Sequence, residues 1–513
     1  MSEPPSPRGP FPAAWPLPLG PLAERAGLAR THARWAESMG LATLGLAEVA
    51  RRGSGSAATG FASQLGGIAF QRGDLHRAEK YFRAALGLAR AADASEKAAA
   101  AHVNLGAVAN VRGRFREALS CYRRGCAAYR RIGHVPGQAR ALHNMGMAFA
   151  DLKRWRQAGI CFRKARELAE TAGDDDLIGL IALNETEVLL ETGELEHARD
   201  LCDDACDRLT AAGARVAVAD VNVRYGEIYR RMNRPVLARE HFSRAVDLGR
   251  ELQAPLTEAE ALRGLGLLHA AAGTPEPALE CLGRSLKLFR SLQAGHELAQ
   301  RVVVGIAELL SRELAAADPN LFGHSARVAR YAVALACELD YAPDQMKGIL
   351  VAGYLHDIGK LQIDPGILAK AAPLTPAERK IVQRHAALGA QYLERFDLPW
   401  DIVPLARWHH EAYDGTGYPD GLVGQAIPLG ARILLVADVF DALTSHQPYR
   451  AAWSREEALT YLELGRGRLC DPDVVDAMLE VARRPAYTAA PSVETTADSL
   501  PVDVTAAFAS LAR

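Results

Sequence analysis

Shifted against itself by forty residues, the first half of the chain falls into register. Glycine recurs at positions 66, 106, 146, 226 and 266, with Thr186 in the one place it misses. Alanine recurs at 78, 118, 158, 198, 238 and 278, and four residues beyond each stands Phe82, Tyr122, Phe162, Cys202, Phe242 or Leu282. Between the two sets lies a turn residue: Gly73, Gly113, Lys153, Gly193, Asn233 or Gly273. A fixed period of this size means one supersecondary unit copied and stacked. The marks predict two antiparallel helices per period. The small residue in the first helix lets the second approach closely, and the turn residue tolerates positive φ at a helix C-terminus. The alanine and the large residue four positions on share a helical face, which is expected to pack between neighbouring hairpins. One hairpin alone leaves an apolar face uncovered, and stacking buries it.

These marks, as in Asn104-Leu105-Gly106 through Ala118 to Tyr122, resemble the tetratricopeptide repeat, with six copies over residues 56–294. The period is longer than usual there, which implies longer helices. The resemblance implies a groove that binds a peptide or protein. The plainer alternative is an array that only spaces or dimerises the rest of the chain. Arg123-Arg124 and Arg130-Arg131 read as a solvated helix face. Residues 22–55 read as a degenerate helical cap with Trp35 and Leu41 in its core.

Of the 513 residues, 49% are apolar, and 60 Lys and Arg stand against 61 Asp and Glu. The formal charge of −1 gives no general attraction for DNA or an anionic membrane. No apolar run is long enough to span a bilayer, and Met1 to Pro21 is proline-rich without a signal-peptide pattern. The expected location is therefore cytoplasmic, with 1–21 a disordered arm and 486–513 a flexible tail. The eight cysteines form no CxxC pair and read as small buried hydrophobes in a reducing compartment. Residues 295–316 carry apolar positions at helical spacing and read as a connecting helix. It either transmits a change in the array or packs as one more helix.

The chemistry lies further on. Leu355-His356-Asp357-Ile358-Gly359-Lys360 is followed by His385, then by His409-His410-Glu411 with Asp414-Gly415-Thr416-Gly417-Tyr418-Pro419, then by Asp438 within Ala437-Asp438-Val439-Phe440-Asp441. Imidazole and carboxylate together suit iron, manganese or zinc. Six such groups (His356, Asp357, His385, His409, His410 and Asp438) exceed one tetrahedral zinc and suit two metals, which can clamp an in-line displacement at phosphorus. His324 is expected to open a helix with Val328, Tyr331, Leu335 and Leu339 on one face. Gly359 is expected to turn the backbone so that two adjacent ligands share a pocket. Thr375-Pro376-Ala377-Glu378 is a capping box, before a helix with Ile381, His385 and Leu388 on one stripe. His385 alone on such a stripe would be an ordinary core residue, but its place between two ligand clusters favours ligation. Adjacent helical side chains diverge by about 100°, so His409 and His410 serve one site only if it wraps round them or the helix ends there. Glu411 and Asp414 are expected to orient imidazole N–H groups. The Ile433–Asp438 run fits a buried strand or a helix, with helix preferred in a helical domain.

From His324 to about Val475 these motifs resemble the HD-GYP family of metal-dependent phosphodiesterases. The resemblance implies hydrolysis of cyclic di-GMP to pGpG and onward to GMP, in bacterial signalling, by attack of an activated water on phosphorus. Carried over by motif, the metal ligands are His356, Asp357, His385, His409, His410 and Asp438, with Asp357 bridging two divalent ions. Lys360 contacts the scissile phosphate and acts with Asp357 in catalysis, while Gly417, Tyr418, Pro419 and Arg450 contact substrate. Gln447 stands where the family commonly has arginine, which puts affinity or base preference in doubt; the alternatives are a non-catalytic receptor for a cyclic dinucleotide or partner protein, or a hydrolase of another cyclic dinucleotide or phosphoester. Asn320 stands where some members carry a glutamate for a third metal. Cys470 replaces a phenylalanine, a packing change. The expected architecture is all-α: a superhelical tetratricopeptide-like hairpin array, then an all-helical HD-type phosphohydrolase domain over 317–485.

Overall fold

The computed structural model describes residues 39–45, 55–71, 74–292, 296–317, 319–370, 372–445 and 451–484. The proline-rich arm, most of the cap with Trp35, the C-terminal tail, Gly73, Gln447 and Arg450 lie outside the described residues. Among the described residues all regular structure is helical apart from one isolated bridge, Arg466 to Cys470. None of their helices is long and apolar enough to cross a membrane. Contacts divide the chain into two compact units, 1–238 and 239–513. This division falls inside the array, whereas the sequence pattern changes near 294/295.

The period of the backbone is twenty residues, half that of the sequence. Helices such as Ser95–Val111 and Phe115–Arg131 are followed by short turns. One residue in every twenty has positive φ: Asp93, Gly113, Gly133, Lys153, Gly173, Gly193, Gly213, Asn233, Gln253 and Gly273. Each reverses the chain so that the next N–H reaches back into the finished helix, as Arg114 N–H does to Ala109 O at 2.9 Å. The forty-residue marks read from the sequence take in only the turns inside hairpins. Those between hairpins carry Asp93, Gly133, Gly173, Gly213 and Gln253, so glycine recurs there at the same forty-residue shift.

In the first unit the glycine and the aromatic ring of one hairpin meet each other. A Cβ at Gly106 would lie 2.5 Å from the Tyr122 ring, and Gly66 with Phe82 and Gly146 with Phe162 repeat the arrangement. The ring thus lies over the glycine of its own hairpin, and Tyr122 also belongs to the buried cluster that holds Ala139 and Ala148 of the next one. Ala118, Ala158 and Ala198 are fully buried. The fourth hairpin changes both marks together. Thr186 replaces glycine and bonds its hydroxyl to Leu183 O, while the smaller, buried Cys202 replaces the ring. At the array's start, Leu41 packs against the cluster of Ala42, Ala58, Phe61 and Leu65.

The second unit holds the hairpin at 255–291, the helix His296–Ala317 and the helices that build the metal-binding region. One hydrophobic core runs through all three. It joins Leu282, Leu286 and Phe289 to Val302, Val303, Ile306 and Leu310, and these to Val328, Leu335, Ile349 and Ile433. The His296–Ala317 helix packs on both the Pro275–Ser291 helix and the Ile358–Gln362 turn. Lys347 Nζ donates to its Gln300 Oε1 at 2.7 Å, and Arg290 pairs with Asp397. It is a core helix shared by the last hairpin and the region around Lys360.

Candidate metal centre

The helix Pro343–Leu355 ends where His356 and Asp357 are needed, and the chain continues as a tight turn over Ile358–Gln362. Gly359 is not among the residues of positive φ, so it does not act by reversing the backbone. It acts by having no side chain. A Cβ there would strike His385 O and lie 2.5 Å from Gly389 N. The missing atom lets the turn press on the His385–Leu393 helix and sets His385 beside Asp357.

The capping box of Thr375 and Glu378 is formed, and the helix it starts ends at Gln383. His385 therefore begins a new helix after a break at Arg384. The expected stripe is interrupted there, and Ile381 is exposed. His409 and His410 follow the helix Ile402–Trp408 in a turn, which frees both rings to face one site. Gly417 brings the following loop back: a Cβ would lie 2.5 Å from His410 O, and Tyr418 N–H donates to that oxygen at 3.2 Å. Glu411 and Asp414 do not hold imidazoles. Buried Glu411 accepts the N–H groups of Asp420, Gly421 and Leu422 at 2.7, 3.0 and 3.0 Å. Asp414 accepts from Thr416 N–H and its hydroxyl. Both acids shape the loop because its amides lack secondary-structure partners. Asp438 sits in the helix Leu429–Thr444, one turn before Asp441, and Cys470 is buried in the shared core.

The six residues singled out in the sequence converge, and His324 joins them. Asp357, His385, His409 and His410 form one group and His324, His356 and Asp438 another, with the candidate ligand atoms of each group within 4.8 Å of one another. The Nδ1 atoms of His356, His385 and His409 lie 2.8, 2.7 and 2.8 Å from the carbonyls of Gly353, Val382 and Ala406, each three residues back. A carbonyl only accepts, so Nδ1 keeps the proton and Nε2 points a lone pair inward. His385 Nε2 and His409 Nε2 then face each other at 3.3 Å. Asp357 Oδ1 lies 3.2 Å from His385 Nε2, acceptor against acceptor, and it and His356 Nε2 are buried with no hydrogen-bond partner. Inward lone pairs around buried carboxylates fit divalent cations.

The electrostatics agree. Burial, then the neighbouring His410, His356 and His385, hold His409 well below its ordinary range. Burial takes His410 down to about 3 despite Asp438 nearby. For Asp357 burial favours the neutral acid, but Lys360, His356 and His385 outweigh it and keep the carboxyl well below the usual range. Asp438 is likewise held low, against burial, by His324 and His410. Neutral imidazoles and ionised carboxylates are the protonation states that bind metal.

His324 is the ligand candidate that sequence reasoning missed. Its helix starts at Pro319, a turn earlier than expected. Its Nε2 is 3.0 Å from Asp438 Oδ1 and 3.8 Å from Asp357 Oδ2. Burial opposes a charge on it, yet hydrogen bonds to Asp438 and Asp441 lift it to about 9. Nε2 has to give up its proton before it can ligate, so a cation held between His324 and Asp438 would displace it. The signal was its position one turn before Val328 on the buried stripe. The side chain of Asn320 lies outside the described residues. Lys360 Nζ lies 2.6 Å from Asp357 Oδ2. The Tyr418 ring lies 4.8 Å from that of His410.

Residues 308–474 match the HD domain family, and residues 58–131 and 217–291 match the tetratricopeptide repeat. Over 204 residues the chain is 45% identical to a protein of Xanthomonas campestris named cyclic di-GMP phosphodiesterase response regulator RpfG, which covers 38% of this chain and 52% of that one. It is 40% identical over 163 residues to 3'3'-cGAMP-specific phosphodiesterase 3 of Vibrio cholerae, covering 32% and 35%. It is 36% identical over 182 residues to a cyclic di-GMP phosphodiesterase of Thermotoga maritima, covering 35% and 49%. The chain spans about half the length of these relatives or less.

Proposed function

We propose that this chain, which carries an HD domain behind tetratricopeptide repeats, hydrolyses a cyclic dinucleotide at a two-metal centre, with cyclic di-GMP as its substrate. The observation that carries this reading is the pair of donor groups meeting at His356 and Asp357, with their lone pairs turned inward. Bound divalent cations would act as Lewis acids on the phosphate and lower the pKa of water, and imidazole with carboxylate suits iron or manganese. Asp357 has one oxygen toward His385 and the other toward His356 and His324, so it would be shared by both ions. His385, His409 and His410 would complete one ion, and His324, His356 and Asp438 the other. Lys360, held by Asp357, would neutralise charge gathering on the phosphoryl oxygens. Tyr418, over His410, with Gly417 and Pro419 would form a wall of the substrate site, and we keep Arg450 as a further contact.

The name of the Vibrio relative favours a second reading, hydrolysis of 3'3'-cGAMP. The test is turnover by the purified chain, loaded with manganese or anaerobically with iron, of cyclic di-GMP and 3'3'-cGAMP in competition, with products separated by chromatography. Formation of pGpG or GMP at the higher rate supports the first reading, and preference for cGAMP the second. Binding without turnover of either overturns both and leaves a receptor. The repeats, in this proposal, bind a peptide or protein partner that tunes the rate.

A further inference from the structure

We propose that Asp441, clamped by Arg327, is a positioning residue that fixes the tautomer and aim of His324, and so completes the half of the metal centre that also holds His356 and Asp438. The proposal rests on the functional reading only in that both need the same cations.

The argument begins with a difference among the imidazoles. His356, His385 and His409 are each aimed by a carbonyl three residues back in their own segment. That device is local and does not depend on any distant side chain. His324 has a different support. Its Nδ1 donates to Asp441 Oδ2 at 2.8 Å, across 117 positions of sequence. Asp441 is itself held. Its side chain is only 2% exposed, and it accepts Arg327 Nε on Oδ1 at 2.6 Å and Arg327 Nη2 on Oδ2 at 3.0 Å. The Ser445 hydroxyl reaches Oδ2 at 3.3 Å and accepts from Arg327 Nη2 at 3.0 Å.

His324 and Arg327 lie one turn apart on the Pro319–Glu338 helix; Asp441 lies in the last turn of the Leu429–Thr444 helix, and Ser445 is the residue that ends it. The four side chains form a clasp between the two helices. A carboxylate only accepts, so Nδ1 keeps its proton and Nε2 is left to face Asp438. A carboxylate behind an imidazole also makes the other nitrogen a stronger donor to a metal than a carbonyl does. The bidentate guanidinium balances the buried charge, so Asp441 stays ionised. Asp441 lies on the Nδ1 side of the His324 ring, away from the inward-facing Nε2, so its effect on the site passes through His324.

The test is manganese binding by the full chain without substrate, with equivalents and affinities read by calorimetry and metal analysis. In Asp441→Asn an amide N–H₂ replaces an acceptor, and Arg327 loses half of its partner. One equivalent should bind as in the parent chain and the other about 10- to 100-fold more weakly, the usual cost of losing such a support. His324→Ala should weaken the same equivalent, and the double variant should be no worse than His324→Ala alone. Two equivalents bound by Asp441→Asn with parent affinity would overturn the proposal, as would losses that multiply in the double variant. Arg327→Lys keeps the charge but lacks the planar fork. It covers the case in which Asp441→Asn does not fold, and should weaken the same equivalent while leaving the other at parent affinity. Parent affinity for both equivalents in that variant would overturn the proposal too. A parent chain that binds two equivalents and cleaves no cyclic dinucleotide would defeat the functional reading and leave this one standing.

Discussion

Glycine does different work in the two halves of this molecule. In the array, Gly66, Gly106 and Gly146 each make room for a ring in their own hairpin, and Gly113 and Gly193 supply positive φ at a turn. At the metal centre, Gly359 and Gly417 let one stretch of backbone lie directly on another. The array tolerates exceptions. Thr186 is matched by Cys202, and Lys153 and Asn233 occupy the left-handed region themselves. A ring can turn aside and a turn can hold a strained residue, so each substitution stays local. A backbone carbonyl cannot turn aside without moving the ligand attached to it.

The comparison is open to attack by mutation, beginning with the largest effect. Asp357→Ala should abolish metal binding and turnover together, a fall of at least about a thousandfold in rate, as expected when shared metal ligation is lost. Metal analysis beside the turnover assay reads it, and full activity would end the ligand assignment. Gly359→Ala comes next. With His385 O and Gly389 N in the way, it should cost about 3 kcal/mol or more, at the upper end for overpacking, and release metal. A denaturant melt with a metal assay checks both.

Gly106→Ala tests the other side. The Tyr122 ring must shift, at a cost of about 1–3 kcal/mol, while metal content stays at the parent value. Loss of metal in this variant would show that the two regions are not independent in the way glycine use suggests. The smallest expected effect has the opposite sign. Lys153 holds φ at 55°, and a side chain there costs about 1–2 kcal/mol relative to glycine. Lys153→Gly gives part of that back to chain entropy and should raise stability by about 0.5 kcal/mol, read as a small rise in melting temperature.

The helices of the array were legible because their signal is copied. Alanine at 118, 158 and 198 says the same thing three times, and each copy was found buried. The second set of turns was legible only in part, since Gly133, Gly173 and Gly213 recur at forty while Asp93 and Gln253 share with them only a backbone angle. At the metal centre the motif residues stood out by type. Glu411 and Asp414, read as supports for imidazoles, prove to hold loop amides instead. From sequence, a buried acid beside histidines looks the same in either role. The difference lies in which unpaired donors the fold leaves within reach.

Residue types and spacing by themselves determined an all-helical chain, a stacked hairpin array and a store of imidazoles and carboxylates suited to divalent cations. Tertiary structure alone decided that His324 joins them, that Asp441 and Arg327 support it, and that the last hairpin shares a hydrophobic core with the metal-binding helices. The physical reason is range. Helix periodicity and turn chemistry act over a few residues and leave a repeated mark. A contact between positions 324 and 441 exists only after two helices have packed, and no local pattern records it.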